Sequence, residues 1–480
     1  MLRAHRVVDV RAAEKGAAEK RAAVGTGWDA LMQDAAAALA EQLERLLPAG
    51  VTPVVLVGPG NNGGDALFAA ARLRERGRRV NICLLDPQHV HEAGLAAARA
   101  AGVAEVATPE GHRHVVDGLL GIGARPGLTG RAAQWAAWQA ETDPFTVAVD
   151  VPSGIGVDDG TLDGPAMRAH HTVTFGTYKP GLLLGPASEL AGEVVLADIG
   201  LGPHLGAPAL EALEAGDGDV LAAAVAAPTA HKYGRGVVGV RAGSVEYAGA
   251  AHLAVAGAQS GLAGMVRFVG ADDLAHRVVD RAPEVVAGVG RVQAWVVGPG
   301  GGDDAGEHLT QALDDDVPVV VDATALTHLP AHRPLRGRAH VLLTPHAGEL
   351  ASLLDTERDA VEADPWGHAR MAVERHGATV LLKGRRTVVV PPDGPARVNL
   401  SGTPWLGTAG SGDVLAGFAG SLLAGGLDAR DAGSVAAFLH GAAAVRANPD
   451  GPVTASGVAR ALPEVVADFL TGRLGRVTDR

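Results

Sequence analysis

The stretch Gly407-Thr408-Ala409-Gly410-Ser411-Gly412-Asp413 runs into an apolar helical pattern over residues 414–423. Consecutive backbone N–H groups at residues 410–413 would form an anion hole at the positive end of that helix. Asp413 falls in the first turn, where it can take a proton from a substrate hydroxyl while the hole holds a transferring phosphate. Phosphoryl transfer depends mostly on positioning and charge stabilisation, which suits this pairing. The plainer reading is an ordinary helix start with an acid in its first turn. Three small residues ahead of the Asp favour the phosphate reading. Leu382-Lys383-Gly384-Arg385-Arg386-Thr387 ends a strand pattern with cations and a hydroxyl suited to a nucleotide. Thr344-Pro345-His346-Ala347-Gly348-Glu349-Leu350 ends another, and His346 can equally be a helix-start residue without catalytic duty. Gly298-Pro299-Gly300-Gly301-Gly302 adds a close-approach turn.

A second constellation lies nearer the N-terminus. Gly58-Pro59-Gly60-Asn61-Asn62-Gly63-Gly64-Asp65 follows a strand pattern and opens a helix. It is neither a Walker A loop nor the dinucleotide fingerprint. Two Asn with an Asp bring amide and carboxylate oxygens to one cavity, against the alternative of a simple tight turn. Asp117 and Asp150-Val151-Pro152-Ser153-Gly154 also follow strand patterns. Asn62, Asp117 and Ser153 offer three hard oxygens suited to an alkali or alkaline-earth cation. Asp117 and Ser153 serving only as turn caps is an equal alternative.

These loops need a scaffold that gathers them. Residues 9–45 read as helix, residues 54–57 as a buried strand and residues 65–76 as the next helix. Strands follow at 80–85, 115–120, 146–151, 172–175 and 194–199. A Pro- and Gly-punctuated stretch, 202–230, surrounds an Ala-rich helix, and the boundary is placed near residue 215. The second half repeats the pattern with strands at 237–241, 265–269, 294–297, 317–322, 340–343 and 379–383. A hairpin over 387–398 turns at Pro391-Pro392-Asp393-Gly394. Both halves are thus α/β with mostly parallel sheets, in which ligands sit at the carboxyl ends of strands. Every motif above lies at such an end.

The chain has 480 residues, 47% hydrophobic and 20% charged, and its aromatic share of 3% means cores built from Ala, Val and Leu. The formal net charge of -13 argues against a nucleic-acid partner, which needs a basic face. The single cysteine, Cys83, excludes a disulfide framework. No run approaches the roughly 18 apolar residues of a membrane span, and the first residues lack a signal-peptide core. A cytoplasmic protein with no membrane partner is expected, as a homo-oligomer. Lysine is rare: of the five, Lys179, Lys232 and Lys383 fall inside motifs, where arginine's shape and fixed charge differ from what lysine offers.

Residues 61–65, Asp117 with its Leu-Leu-Gly, the Asp150-Val-Pro-Ser-Gly stretch, Thr174-Phe175-Gly176-Thr177-Tyr178-Lys179-Pro180 and the Leu31-Met32-Gln33-Asp34-Ala35 segment resemble the NAD(P)H-hydrate epimerase family. The likeness covers about residues 1–215 and implies a Rossmann-like three-layer sandwich. It implies potassium at Asn62, Asp117 and Ser153, and substrate against Asn61, Asn62, Gly63, Gly64, Asp65, Gly121, Ile122, Gly123, Ala124, Arg125, Pro126, Gly127 and Asp150. Asp150 is the general acid/base candidate and Lys179 its electrostatic partner. Ala66 departs from the family, where a glycine often follows the aspartate.

Residues 225–470 resemble the ribokinase-like fold, nearest to its ADP-dependent NAD(P)H-hydrate dehydratase branch. His231-Lys232-Tyr233-Gly234-Arg235-Gly236 and Gly243-Ser244-Val245-Glu246-Tyr247-Ala248-Gly249-Ala250 also carry that likeness. It implies nucleotide at Lys383, Gly384, Arg385, Arg386, Thr387 and Gly412, and hydrated cofactor at Ala250, Gly300, His346 and Asp413, with Asp413 catalytic. Gly301 stands where the family has a larger residue, so a looser turn is expected. Together the likenesses imply domains at 1–215 and 216–480. The first would interconvert the epimers of hydrated NADH and NADPH. The second would dehydrate the S epimer with ADP and magnesium, giving NAD(P)H, AMP and phosphate. A vitamin-precursor kinase fused to a cofactor-binding module is the alternative, weakened by the intact first motif set.

Overall fold

The computed structural model describes residues 1–22, 27–222, 224, 231–259, 262–329, 335 and 340–475, the side chains of 27–29 excepted. Contacts divide the chain into two compact units, Arg3–Leu210, and Met1–Leu2 with Glu211–Arg480.

The chain opens with β1 (Leu2–Ala4), α1 (Val7–Ala22), α2 (Gly27–Leu46), β2 (Val54–Val57), α3 (Asn61–Glu75), β3 (Asn81–Leu84), α4 (Glu92–Ala100), β4 (Ala104–Glu105), β5 (His114–Gly118), α5 (Gly130–Thr142), β6 (Phe145–Val149), β7 (His171–Phe175) and β8 (Glu193–Ala197). Residues 9–45 are therefore not one helix. The stretch holds two helices, α1 and α2, and residues 23–26 between them lie outside the described residues. The expected helix at 65–76 starts earlier, at Asn61, so Asp65 sits in its second turn.

Strands β2 to β8 form one parallel sheet in the order β4-β3-β2-β5-β6-β7-β8. Every residue of β2 is buried, and successive residues serve opposite faces. Val55 and Val57 pack with α2 and α3, whereas Val54 and Leu56 pack with Trp135 and Ala132 of α5. Helices thus cover both faces, as an all-parallel sheet requires. The chain leaves β2 toward β3 on one side and returns to β5 on the other. The crevice between β2 and β5 is the topological switch point where such sheets bind ligands.

After β9 (Leu210–Ala212) come β10 (Val237–Arg241), α6 (Ala248–Ala258), β11 (Met265–Phe268), α7 (Asp272–Arg281), β12 (Val286–Ala287), β13 (Ala294–Val297), α8 (Ala305–Asp314), β14 (Val319–Val321), β15 (Val341–Leu343), α9 (Ala347–Leu354), α10 (Arg358–Ala363), α11 (Pro365–His376), β16 (Thr379–Leu382), β17 (Val388–Val390), β18 (Ala396–Val398), α12 (Ser411–Ala424), α13 (Ala429–Ala447) and α14 (Ala455–Leu470). Of the Ala-rich helix expected within 202–230, a short 3-10 turn at Gly218–Leu221 is seen, and residues 223 and 225–230 lie outside the described residues. The sheet runs β18-β17-β16-β15-β14-β13-β10-β11-β12, parallel from β16 to β12. The pairs β16–β17 and β17–β18 are antiparallel, which is the expected hairpin. Its switch point lies between β10 and β13.

One face of this sheet carries α6, α12, α13 and α14, and α8 and α11 lie on β13 and β16. Helix α12 is buried along nearly its whole length. It meets α6 through glycine: a Cβ on Gly417 would come 1.9 Å from the Ala254 carbonyl oxygen, and one on Gly257 2.1 Å from that of Val414. Gly417→Ala should therefore push the helices apart and cost about 1–3 kcal/mol, the usual overpacking penalty. A denaturant midpoint unchanged from wild type would show that the contact has slack.

Candidate functional sites

In the first unit, the motif loops end β2, β5, β6 and β7, which are neighbours in the sheet. The chain turns so tightly after β2 that glycine is required. A Cβ on Gly58 would lie 1.7 Å from the Leu119 carbonyl oxygen, and one on Gly63 2.1 Å from that of Gly58. This brings the start of α3 against the end of β5. A cavity of about 670 Å³ opens there, lined by Asn61, Asn62, Asp65, Gly121, Ile122, Gly123, Ala124, Asp150 and Lys179 among the residues expected from sequence. Gly63 and Gly64 shape its floor without lining it, and Arg125, Pro126 and Gly127 are absent from the lining. Gly127 instead closes a turn, donating to the Gly154 carbonyl at 2.8 Å.

Asp117 is fully buried at the end of β5. Its carboxylate accepts from the Ser153 hydroxyl at 2.7 Å and from the Ser153 amide at 2.8 Å. Burial pushes its carboxyl up to about 6, against the pull of those bonds and of the Leu119 amide. The Ser153 hydroxyl also accepts from the Leu120 amide at 2.9 Å. The two side chains thus join the ends of β5 and β6. Asn62 is buried beside them, against Gly121, and among the described residues its Nδ2 has no partner.

Asp150 stands at positive φ, 65°, a strained conformation for a residue with a Cβ. Its Oδ1 accepts from Thr174 Oγ1 and the Phe175 amide, each at 3.1 Å, and from Lys179 Nζ. The fully buried Lys179 also donates to Thr174 Oγ1 and the Phe175 carbonyl, each at 3.0 Å. All three of its N–H bonds are spoken for.

Sequence reasoning missed Arg11, Glu14, His91, Phe175 and Ile199 in the lining. Glu14 lies in an Ala-rich helix with no flanking motif, so only the packing of α1 reveals it. Burial first, then Asp150, raises the Glu14 carboxyl, opposed by Lys179 and Arg11. Burial first, then Asp150 and Glu14, holds Asp65 well above the usual carboxylate range.

In the second unit, β14, β15 and β16 are consecutive in the sheet, so Asp322, Thr344 and Lys383 emerge side by side. Asp322 is buried and accepts at Oδ1 from Thr344 Oγ1 and from Lys383 Nζ, each at 2.8 Å. Glu349 lies 3.8 Å from the same ammonium. Lys383 Nζ is also 3.5 Å from where a Cβ on Gly412 would be, at the start of α12. Opposed only by burial, the Asp322, Glu349 and Asp413 carboxylates raise the Lys383 ammonium. Asp322 was not foreseen. The signal was an acid closing the buried run at 317–322.

Gly410 caps α12 at φ 83° with its α-carbon face against Leu253 of α6. Asp413 occupies the first turn, and burial, then Asp322, pushes its carboxyl up to about 6 against Lys383. Ala250 of α6 packs on Gly300, where an added Cβ would come 2.5 Å from that of Ala250. The Gly301 turn is not loose: the Gly301 amide donates to the Gly298 carbonyl at 2.9 Å, and Thr324 Oγ1 donates to the Gly301 carbonyl at 3.1 Å. His346 is the N-cap of α9. Its Nδ1 accepts from the Gly348 and Glu349 amides at 3.0 and 3.2 Å, and Glu349 Oε2 accepts from the His346 amide at 2.8 Å, a closed capping box. Gly384, Arg385, Arg386 and Thr387 form the turn from β16 to β17, with Arg385 exposed.

The second unit therefore combines a ribokinase-like sheet with a glycine-capped helix start, an acid in its first turn and a lysine beside it. The first combines a doubly wound sheet with a carboxylate-lined cavity at its switch point. This defines a fused pair of α/β enzymes. The model for "YjeF-related protein N-terminus" matches residues 28–181, and that for "NAD(P)H-hydrate dehydratase" matches residues 238–463. A bifunctional NAD(P)H-hydrate repair enzyme of Mycobacterium tuberculosis is 46% identical over 84% of this chain and 86% of its own. That of Mycobacterium leprae is 44% identical over 88% and 90%. The solved ADP/ATP-dependent NAD(P)H-hydrate dehydratase of Bacillus subtilis is 27% identical, with TM-score 0.48, over 51% of this chain and 94% of that one. The chain belongs to the bifunctional NAD(P)H-hydrate repair enzyme family. Among the described residues, no helix is long and apolar enough to cross a membrane.

Proposed function

We propose that this chain repairs hydrated NADH and NADPH: residues 1–215 interconvert the epimers, and residues 216–480 dehydrate the S epimer with ADP. The observation that carries it is the presence of both sites on a chain that matches repair enzymes along most of its length. The reaction belongs to the cytoplasm, where the reduced cofactors are used.

Hydroxide is a poor leaving group from the hydrated ring. Asp413 takes the hydroxyl proton as that oxygen receives the terminal phosphoryl group of ADP. Amides at the start of α12 and Lys383 hold the phosphate oxygens. Phosphate then departs, driven by the ring-nitrogen lone pair, and the ring carbon next to the resulting cation gives up its proton to solvent, leaving NAD(P)H and AMP. Magnesium fits here, since it asks for only one or two carboxylates besides phosphate oxygens, and Asp322 and Glu349, which both lie beside Lys383, would hold it. When bound, it would neutralise phosphate charge. Ala250, Gly300 and His346 face the hydrated cofactor, and residues 384–387 face the nucleotide.

In the first unit, Asp150 is the acid/base candidate and Lys179 is its electrostatic partner. A potassium ion fits at Asn62, Asp117 and Ser153. Among the described residues, Asp117 is a fully buried carboxylate bonded only by Ser153 and Leu119, with no cationic side chain stabilising it, and the Asn62 amide is buried without a partner. When bound, the ion would supply the missing positive charge.

The test is direct. The purified chain receives mixed epimers of hydrated NADH with ADP, potassium and magnesium, and the near-ultraviolet absorbance of reduced nicotinamide is followed. Full recovery is expected, and no recovery would sink the proposal. Thermal unfolding in potassium against lithium chloride should show the higher midpoint in potassium, and Asp117→Asn should remove the difference.

A further inference from the structure

Three carboxylates from separate elements share the first unit's cavity: Glu14 on α1, Asp65 on α3 and Asp150 after β6. Only Asp150 is paired with a cation, and its three partners all act on Oδ1. Among the described residues, the side chains of Glu14 and Asp65 make no hydrogen bond or close ion pair. The unpartnered, buried amide of Asn62 lies in the same lining. Besides Lys179, the other ionisable groups there are the exposed Arg11, which reaches over Gly123, and His91, whose Nδ1 already accepts from the Gly94 amide.

Inverting a ring carbon that bears a hydroxyl can proceed in two ways. Ring opening breaks the bond from that carbon to the ring nitrogen and sends the electron pair to nitrogen, building negative charge that the three carboxylates of the lining disfavour. Lys179 does not offset that charge, being fully buried with its N–H groups bonded to Asp150, Thr174 and Phe175. Loss of water instead leaves positive charge shared by carbon and nitrogen. Fixed carboxylates stabilise that cation without reorganisation.

We infer that the first unit inverts its substrate by removing and replacing water at the hydroxyl-bearing ring carbon, with Asp65 as proton donor and Asp150 as the carboxylate facing the cation. This rests on the epimerase reading of the unit. The Asp65 proton passes to the hydroxyl oxygen. The carbon–oxygen bond breaks with its pair on oxygen, water leaves, and the nitrogen lone pair forms the carbon–nitrogen double bond. A second water attacks the opposite face. Its lone pair makes the new carbon–oxygen bond, the double-bond pair returns to nitrogen, and the surplus proton goes to Asp150 and back to Asp65 through solvent. Glu14 adds negative charge that keeps the Asp65 proton in place.

The incoming water is a different molecule from the departing one, so each inversion must import a solvent oxygen. The full chain is incubated with one epimer in oxygen-18 water without ADP, the uncatalysed rate is subtracted, and the epimers are separated and weighed by mass spectrometry. The product epimer should carry one heavy oxygen per inversion from the earliest time points. Asp65→Asn should lower the inversion kcat by about 100- to 10,000-fold, with the first unit's denaturant midpoint kept near wild type as the folding control. Rapid inversion without label would overturn the inference and leave the epimerase reading standing. Absence of any catalysed inversion would overturn the reading beneath it. The wild-type labelling result decides the matter even if the variant fails to fold.

Discussion

Asp413→Asn should lower kcat for dehydration of the S epimer by about 100- to 10,000-fold, the usual worth of a positioned general base. Asparagine keeps the shape of the side chain at the start of α12 but cannot accept the hydroxyl proton. The Gly410 cap and the α6–α12 packing do not depend on that carboxylate, so folding and ADP binding should persist. The loss then falls on kcat rather than KM. A pH profile sharpens the test. Burial and Asp322 hold the Asp413 carboxyl at about 6. A base works only when ionised, so kcat/KM should rise with pH through about 6 and level off above it. The asparagine variant should lack that limb. A kcat within a few-fold of wild type would remove Asp413 from the chemistry.

Lys179→Met should be the most destabilising single change in the first unit. Methionine fills much the same volume, so packing is largely kept. Asp150, however, is left as a buried carboxylate with its cation gone. Breaking a buried pair from one side costs about 3–5 kcal/mol. Denaturant unfolding followed through the first unit's tryptophans should show it. Epimerisation should be lost together with the stability. S-epimer dehydration should survive, because the second unit has its own hydrophobic core. The double variant with Asp150→Asn removes both charges and should regain much of the stability while remaining inactive as an epimerase. If stability did not return, the role of Lys179 would be packing rather than charge pairing.

Much of this protein was legible without coordinates. Buried runs such as residues 54–57 and 294–297 are strands because Val and Leu fill both faces of a covered parallel sheet. The glycine turns after β2 and before α12 announced close approach, and their crowded α-carbons show why no other residue fits. Asp150 with Lys179, and Asp413 with Lys383, were each named from motifs far apart in sequence.

What sequence could not decide was convergence. Glu14 and Asp322 carry no motif, and their importance comes from where helix α1 and strand β14 place them. The partner of Asp117 is likewise invisible to spacing: a Ser153 hydroxyl 36 residues away is bonded to the carboxylate at 2.7 Å. The single helix expected over residues 9–45 is two, α1 and α2, for a similar reason: both segments carry the same Ala-rich period, and only tertiary packing tells them apart. Residue types and spacing determine which groups are available and which strands carry them. The strand order at each switch point, set by long-range packing, decides which of those groups share a cavity, and so whether a carboxylate is a lone acid or part of a machine for moving protons.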